Sequence, residues 1–158
     1  MNFADTNWLE AMFFELDGPQ KNRRGIVEKF MRNHGGQLGI SHIVYLEARN
    51  VFSRVAKDKN PPEWDELNDG LAGKFYLDPM NWDLLRREAF ALFEKYSHKA
   101  TVGTFDMAIL ASAKLAGATR MLSFDGNLRI VSAAEGLAVF PELDATEKAD
   151  AAKLKHLS

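Results

Sequence analysis

Asp5, Glu47, Asp106 and Asp125 occupy positions where an isolated carboxylate is poorly accommodated. Asp5 closes the run Asn2-Phe3-Ala4 and Asp125 closes Met121-Leu122-Ser123-Phe124. Both therefore stand where a buried strand empties into a loop, the place where open α/β sheets put their active sites. Glu47 has Val44, Ala48, Val51 and Val55 at −3, +1, +4 and +8, helical spacing that turns the glutamate with them toward the core. Asp106 shares its helix face with Ile109, Leu110, Ala113 and Gly117.

An ionised carboxylate on an apolar face costs several kcal/mol unless a cation or hydrogen-bond donors compensate it. Two of them about 4 Å apart repel by roughly 4 kcal/mol at an effective dielectric of about 20. No arginine or lysine lies in the immediate Asp5-Thr6-Asn7, Tyr45-Leu46-Glu47-Ala48, Thr104-Phe105-Asp106-Met107 or Ser123-Phe124-Asp125-Gly126 contexts. A divalent cation supplies the missing charge, and hard oxygen ligands suit Mg²⁺ or Mn²⁺. Each carboxylate also has an ordinary explanation. Asp5 and Asp125 are placed to cap helices. Asp106 is near enough to a helix start to gain from the macrodipole, and Glu47 could pair with Arg49 or Arg54.

The elements that must position these residues follow from the periodicity, which switches between short apolar runs and helical stretches. Punctuation falls at Gly35-Gly36, Pro61-Pro62, Asp78-Pro79, Gly117, Gly126 and Pro141. The alternation predicts an α/β protein with a parallel sheet. Strands are expected near 2–4, 37–40, 74–77, 121–124 and 138–140. Helices are expected near 7–16, 22–33, 41–57, 63–70, 81–97, 104–116 and 127–135. Ser41 and Asn81 suit N-caps. Asp144 and Glu147 have capping-box spacing at the head of an alanine- and lysine-rich tail able to form a short helix.

The 158 residues suit one domain with a substantial core, and 46% hydrophobic with 27% charged residues is ordinary for a globular protein. With no cysteine, disulfides, thiolate zinc sites and cysteine nucleophiles are excluded. The start of the chain has no basic segment followed by an apolar one, and no apolar run reaches membrane-spanning length, so a cytoplasmic protein without membrane attachment is expected. A net charge of −2 argues against a general nucleic-acid coating protein, though a local basic patch can still flank an acidic centre.

Other residue types carry less chemistry. His34, His42, His98 and His156 lack ligand spacing. Trp64, Trp82, Phe75, Phe90 and Phe93 read as core and interhelix packing, or as an oligomer surface. Lys21, Arg23 and Arg24, and Arg49, Arg54, Lys57 and Lys59, read as solvated helix faces that could reach phosphates only if they flank the cleft. There is no glycine-rich phosphate loop.

Ala4-Asp5-Thr6-Asn7, Tyr45-Leu46-Glu47, the run from Gly103 to Ala113 and the run from Leu122 to Leu128, in this order and with an interval of 19 residues from Asp106 to Asp125, resemble a PIN domain. The nearest likeness is to VapC-type toxin ribonucleases of toxin-antitoxin pairs. The resemblance runs from Asn2 to Pro141. It implies a three-layer α/β/α fold around a mostly parallel sheet of about five strands, with residues 1–143 forming the nuclease-like domain and 144–158 a C-terminal tail. It further implies Mg²⁺-dependent hydrolysis of RNA, leaving 5′-phosphate and 3′-hydroxyl ends, with Mn²⁺ able to substitute. Asp5, Glu47, Asp106 and Asp125 would form the acidic quartet, supported by hydrogen bonds from Asn7 and Ser123. An antitoxin partner and a homodimer are implied as well. Phe105 and Met107-Ala108-Ile109 depart from common members around Asp106, which bears on substrate preference. A housekeeping RNA-processing nuclease and a catalytically weak interaction module are the alternatives. A haloacid-dehalogenase-type phosphatase would need a second aspartate two residues after Asp5, where Asn7 stands, and the acidic pair and late lysine of a receiver domain are missing.

Overall fold

The computed structural model describes residues 1–156. Five three-residue strands form the centre: β1 (Asn2–Ala4), β2 (Leu38–Ile40), β3 (Phe75–Leu77), β4 (Arg120–Leu122) and β5 (Ala138–Phe140). Around them lie α1 (Thr6–Phe13), α2 (Arg23–Asn33), α3 (His42–Ala56), α4 (Pro62–Gly70), α5 (Trp82–Tyr96), α6 (Thr104–Leu115), α7 (Gly126–Ala134) and α8 (Ala145–His156). The sheet order is β3-β2-β1-β4-β5, and all four pairings are parallel. The architecture is the expected three-layer α/β/α arrangement. Among the described residues, no helix is long and apolar enough to cross a membrane.

This strand order decides where a site can form. The chain moves outward from β1 through β2 to β3, then returns across the sheet to β4 on the other side of β1. At such a switch point the loops leaving adjacent strands diverge and open a crevice at the carboxyl ends. The register Ala4↔Leu122 then sets Asp5 beside Ser123, and the ladder continues as Asp5 N donates to the Leu122 carbonyl at 3.0 Å. On the other flank Phe3, fully buried, lies across β2 at Gly39, where an added Cβ would stand only 2.7 Å from its ring. A side chain at Gly39 would therefore force the Phe3 ring, two residues before the aspartate, out of its place.

Capping residues place several helix starts. Ser41 Oγ accepts from Val44 N at 2.9 Å and Asn81 Oδ1 from Leu84 N at 3.1 Å, as their spacing predicts. The first helix is shorter than expected. It ends at Phe13, where Phe14 turns extended, and a turn of 3-10 helix at Gly18–Gln20 follows, with Gly18 at a positive φ of 63° and Pro19 in its first positions. Beyond the last strand, α8 packs on α7 and buries Ala151 and Leu154. Its start is a reciprocal capping box: Glu147 N donates to Asp144 Oδ1 at 2.8 Å and Asp144 N to Glu147 Oε1 at 3.2 Å. Leu157 and Ser158 of the tail lie outside the described residues.

A polar cluster fastens α5, α6 and α7 together. The Glu135 side chain, only 4% exposed, accepts from Lys95 Nζ at 2.9 Å, Lys114 Nζ at 2.7 Å and the Tyr96 hydroxyl, while Lys114 also bridges to Glu88 at 2.7 Å. Burial opposes ionisation of Glu135, but the hydrogen bonds from Lys114, Tyr96 and Lys95 outweigh it and hold its pKa down at about 2. A depressed carboxylate stabilises the fold above its unfolded pKa and loses that contribution as pH falls toward the folded value. Glu135→Ala is expected to cost about 2 to 3 kcal/mol in urea unfolding at neutral pH. The deficit should shrink as pH falls from 4.5 toward 2, the window set by its ordinary and folded pKa values. Equal stability of variant and parent at pH 7 would show that the cluster contributes nothing net.

Candidate active site

Asp5 is 4% exposed at the carboxyl end of β1, and both of its oxygens are engaged. Oδ1 accepts from Thr6 N at 2.7 Å, and Oδ2 accepts from Ser123 Oγ at 2.7 Å. The Ser123 hydroxyl, fully buried, also accepts from Asp125 N at 3.0 Å, so a single side chain joins the end of β1 to the loop after β4. Asn7 fixes the same loop from α1, its Oδ1 accepting from Phe124 N at 3.1 Å. Asp125 caps α7 through Oδ1, which accepts from Asn127 N at 2.9 Å and Leu128 N at 3.3 Å. The ordinary capping explanation thus accounts for one oxygen of Asp125 and leaves the other without a protein donor among the described residues.

Glu47 and Asp106 enter from helices. Glu47 lies on α3 with Val44 and Ala48 buried beside it, but it is itself half-buried, as are Val51 and Val55. Its Oε1 accepts from Thr6 Oγ1 at 2.7 Å. Arg49, expected as a possible partner, instead donates to Ser53 and to the Lys59 carbonyl and lies over Trp64, and Arg54 makes no ion pair with Glu47 among the described residues. Asp106 sits in the first turn of α6, half-buried, above the buried Ile109, Leu110 and Ala113.

The four carboxylates form one electrostatic group. Burial, opposed by the hydrogen bonds from Ser123 and Thr6, and then repulsion from Asp106 and Glu47 push Asp5 up to about 7. Burial followed by repulsion from Asp125 and Glu47 pushes Asp106 up to about 6. Among the described residues no basic side chain pairs with any of the four. Among these residues, too, no three acidic or imidazole groups form a ready-made ligand set as the side chains lie. The donor chemistry nevertheless fits a hard divalent cation. Among the described residues, both oxygens of Asp106, Oδ2 of Asp125 and Oε2 of Glu47 accept no protein hydrogen bond, and Asp5 is held by two.

Thr6 and Arg129 carry roles that the sequence did not reveal. Thr6 had a weak signal, as a small hydroxyl residue directly after a strand-end aspartate. Arg129 had none, because an arginine on an amphipathic helix reads as exposed. It is instead 6% exposed and donates through Nη1 to the Ser123 carbonyl at 3.0 Å and through Nη2 to the Glu142 carbonyl at 3.1 Å. Its guanidinium also pairs with Glu147 of α8, through Nε and Nη2, each at 3.2 Å. Of the two basic clusters, the first brings Arg23 to the site loop, its guanidinium 4.8 Å from the Phe124 ring centroid.

A parallel α/β/α domain with an acidic group at the switch point of its sheet is the class that these features define. A model of the PIN domain family matches residues 3–134, and the chain belongs to that family. No curated protein matches it in sequence. Its fold is similar to that of VapC20 from Mycobacterium tuberculosis, described as a sarcin-ricin loop cleaving toxin, with 16% identity, 87% of this chain and 97% of that chain covered, and a TM-score of 0.67. VapBC2 from Rickettsia felis, solved with a promoter DNA fragment, gives 16% identity, 87% and 96% coverage and a TM-score of 0.63. A toxin-antitoxin complex from Klebsiella pneumoniae gives 19% identity, 79% and 87% coverage and a TM-score of 0.57.

The raised pKa of Asp5 has a measurable consequence. An acid whose folded pKa is raised from 3.8 to about 7 favours folding most while neutral, below its unfolded pKa, and loses that advantage as pH rises through the folded value. In chelator, Asp5→Asn is therefore expected to be more stable than the parent near pH 8, by roughly 2 to 4 kcal/mol, with the gain vanishing near pH 4. Urea unfolding at both pH values checks this, and a less stable variant near pH 8 would contradict the electrostatic account.

Proposed function

We propose that this protein is a metal-dependent endoribonuclease, hydrolysing RNA phosphodiester bonds as the toxin of a toxin-antitoxin pair. The observation that carries the reading is the set of four mutually repelling carboxylates at the switch point of a PIN fold, which pair with no basic side chain among the described residues. Asp5, Asp106 and Asp125 would hold Mg²⁺, or Mn²⁺ in its place, and Glu47 would hold a second, weaker cation or position the attacking water. When bound, the cation supplies a water of lowered pKa for in-line attack and neutralises charge on the phosphoryl oxygens. The protein's part is orientation. Ser123 fixes the Asp5 carboxylate and the Asp125 backbone at once, and Thr6 holds Oε1 of Glu47.

Three similar structures, described as VapC20, VapBC2 and a toxin-antitoxin complex, support the toxin assignment. A surface feature agrees with it. Trp82, Phe90 and Phe105 are 65%, 61% and 63% exposed, and with Ile43 and Phe93 they line an apolar groove of about 210 Å³. The packing role expected for Trp82 and Phe90 does not hold within the isolated chain. Phe105 directly precedes Asp106, so an antitoxin segment with an apolar face could fill the groove and extend over the carboxylates. Self-association, a cytoplasmic setting and the 5′-phosphate and 3′-hydroxyl products belong to the same proposal.

Asp106→Asn should cut RNA at least about a hundredfold more slowly than the parent while melting at the same or a higher temperature in chelator. Calorimetric Mn²⁺ binding should disappear in Asp5→Asn/Asp106→Asn. Cleavage at the parental rate by Asp106→Asn would sink the assignment.

A further inference from the structure

The two basic clusters can reach phosphates only if they flank the cleft, and the topology separates them. A helix joining parallel strands returns against their direction. Because α2 leads into β2, its first residue, Arg23, lies at the carboxyl end of the sheet, with the four acids. Because α3 leaves β2 at that end and runs away from it, Arg54 in its last turn lies at the opposite end. The contact of Arg23 with the site loop agrees with this placement. Its guanidinium lies over the ring of Phe124, the residue between Ser123 and Asp125.

Arg23 also differs from its neighbour in how its charge is used. Arg24 pairs with Glu28 at 3.2 Å and Glu15 at 3.9 Å. Arg23 is half-buried, and among the described residues it makes no ion pair and donates no hydrogen bond to protein. The ring beneath it is itself held in place. Trp8, fully buried, stacks on Phe124 at 5.5 Å with the planes 19° apart, and Asn7 Oδ1 accepts from Phe124 N at 3.1 Å. A guanidinium attracted to an aromatic face spends none of its five donors on a protein oxygen. The ring therefore sets the cation at the rim of the acidic group while leaving its fork free for an oxyanion. We infer that Arg23 binds a phosphate of the RNA backbone beside the one to be cleaved, drawing a polyanion to a centre that would otherwise repel it. This rests on the nuclease reading and deepens it. The competing role is packing alone, in which the guanidinium only covers the Phe124 ring and steadies the loop.

The test measures fluorescence anisotropy of a short labelled single-stranded RNA of mixed sequence, with Mn²⁺ present and Asp106→Asn as the parent so that the RNA stays intact. Arg23→Gln should weaken binding about five- to tenfold and make the dependence of log K on log salt shallower by about 0.7, the loss of one single-strand phosphate contact. Arg23→Lys, which keeps the charge, should hold the parental salt slope and bind within about threefold of the parent. Arg54→Gln removes the same charge at the far end of the molecule and should change neither quantity. With Asp106 restored, Arg23→Gln should bind Mn²⁺ as the parent chain does. Unchanged RNA affinity in Arg23→Gln would overturn the inference, as would equal losses in Arg23→Gln and Arg54→Gln, which would reduce the effect to net charge. Mn²⁺ affinity that falls together with RNA affinity would assign Arg23 to loop packing and overturn the phosphate contact. A labelled oligoglutamate peptide that binds the parent and is lost from Arg23→Gln, with RNA affinity unaffected, would assign the arginine to an acidic protein segment and overturn the RNA role. The nuclease reading is tested apart from this, by Mn²⁺ calorimetry and cleavage with Asp106 and Arg23 both in place. Their success beside a flat Arg23→Gln variant would remove only this contact.

Discussion

The Ser123 hydroxyl, donating to Asp5 and accepting from the backbone of Asp125, is the interaction around which the site is organised. It is possible only because β1 and β4 are parallel neighbours in the register Ala4↔Leu122. A one-residue slip would turn every side chain of one strand to the opposite face and separate the two. The buried Phe3 and Met121, side by side in that register, resist such a slip. Sheet packing and acid placement are thus one constraint seen at two levels.

Much of this arrangement was legible in the sequence, and the reasons differ from element to element. Short apolar runs ending in acids located β1 and β4, although β4 closes at Leu122, so Ser123 and Phe124 belong to the loop. Helical spacing placed Glu47 and Asp106 on inward faces. It could not show that Glu47 stops at the margin of the core, since that depends on how α3 meets α1 and α6. Thr6, Arg129 and Glu135 were opaque for a common reason. Each acts through a partner distant in the chain, at Glu47, Glu147 and Lys95 respectively, and no local pattern records such pairings. For Trp82 and Phe90 the core alternative failed and the surface alternative stands, because large aromatics at helical spacing ordinarily mark a core and here they are exposed.

Two groups of buried acids show opposite uses of the same chemistry. Glu135 is surrounded by donors and held ionised, and it joins three helices at the side of the molecule. Asp5 and Asp106 are pushed toward neutrality, first by burial and then by the other acids beside them. The first satisfies its charge internally and stabilises the fold. The second leaves its charge unsatisfied by protein and costs stability, a pattern associated with function. The two meet through α6 and α7, which the Glu135 cluster holds at their far ends while their first turns carry Asp106 and Asp125.

Arg129 has a consequence for what counts as the unit of folding. Its guanidinium is shared between the carbonyl of Ser123, inside the family match, and Glu142 and Glu147, which follow it. A molecule trimmed to residues 3–134 would keep all four acids and the Ser123 carbonyl but lose Glu142 and Glu147, and with them the carboxylate that balances this arginine's charge. The result would be a cation stripped of its counter-charge and tied to the loop that carries Asp125. Homology marks where ancestry is detectable. In this protein the electrostatic neutrality of the interior closes some way beyond that point.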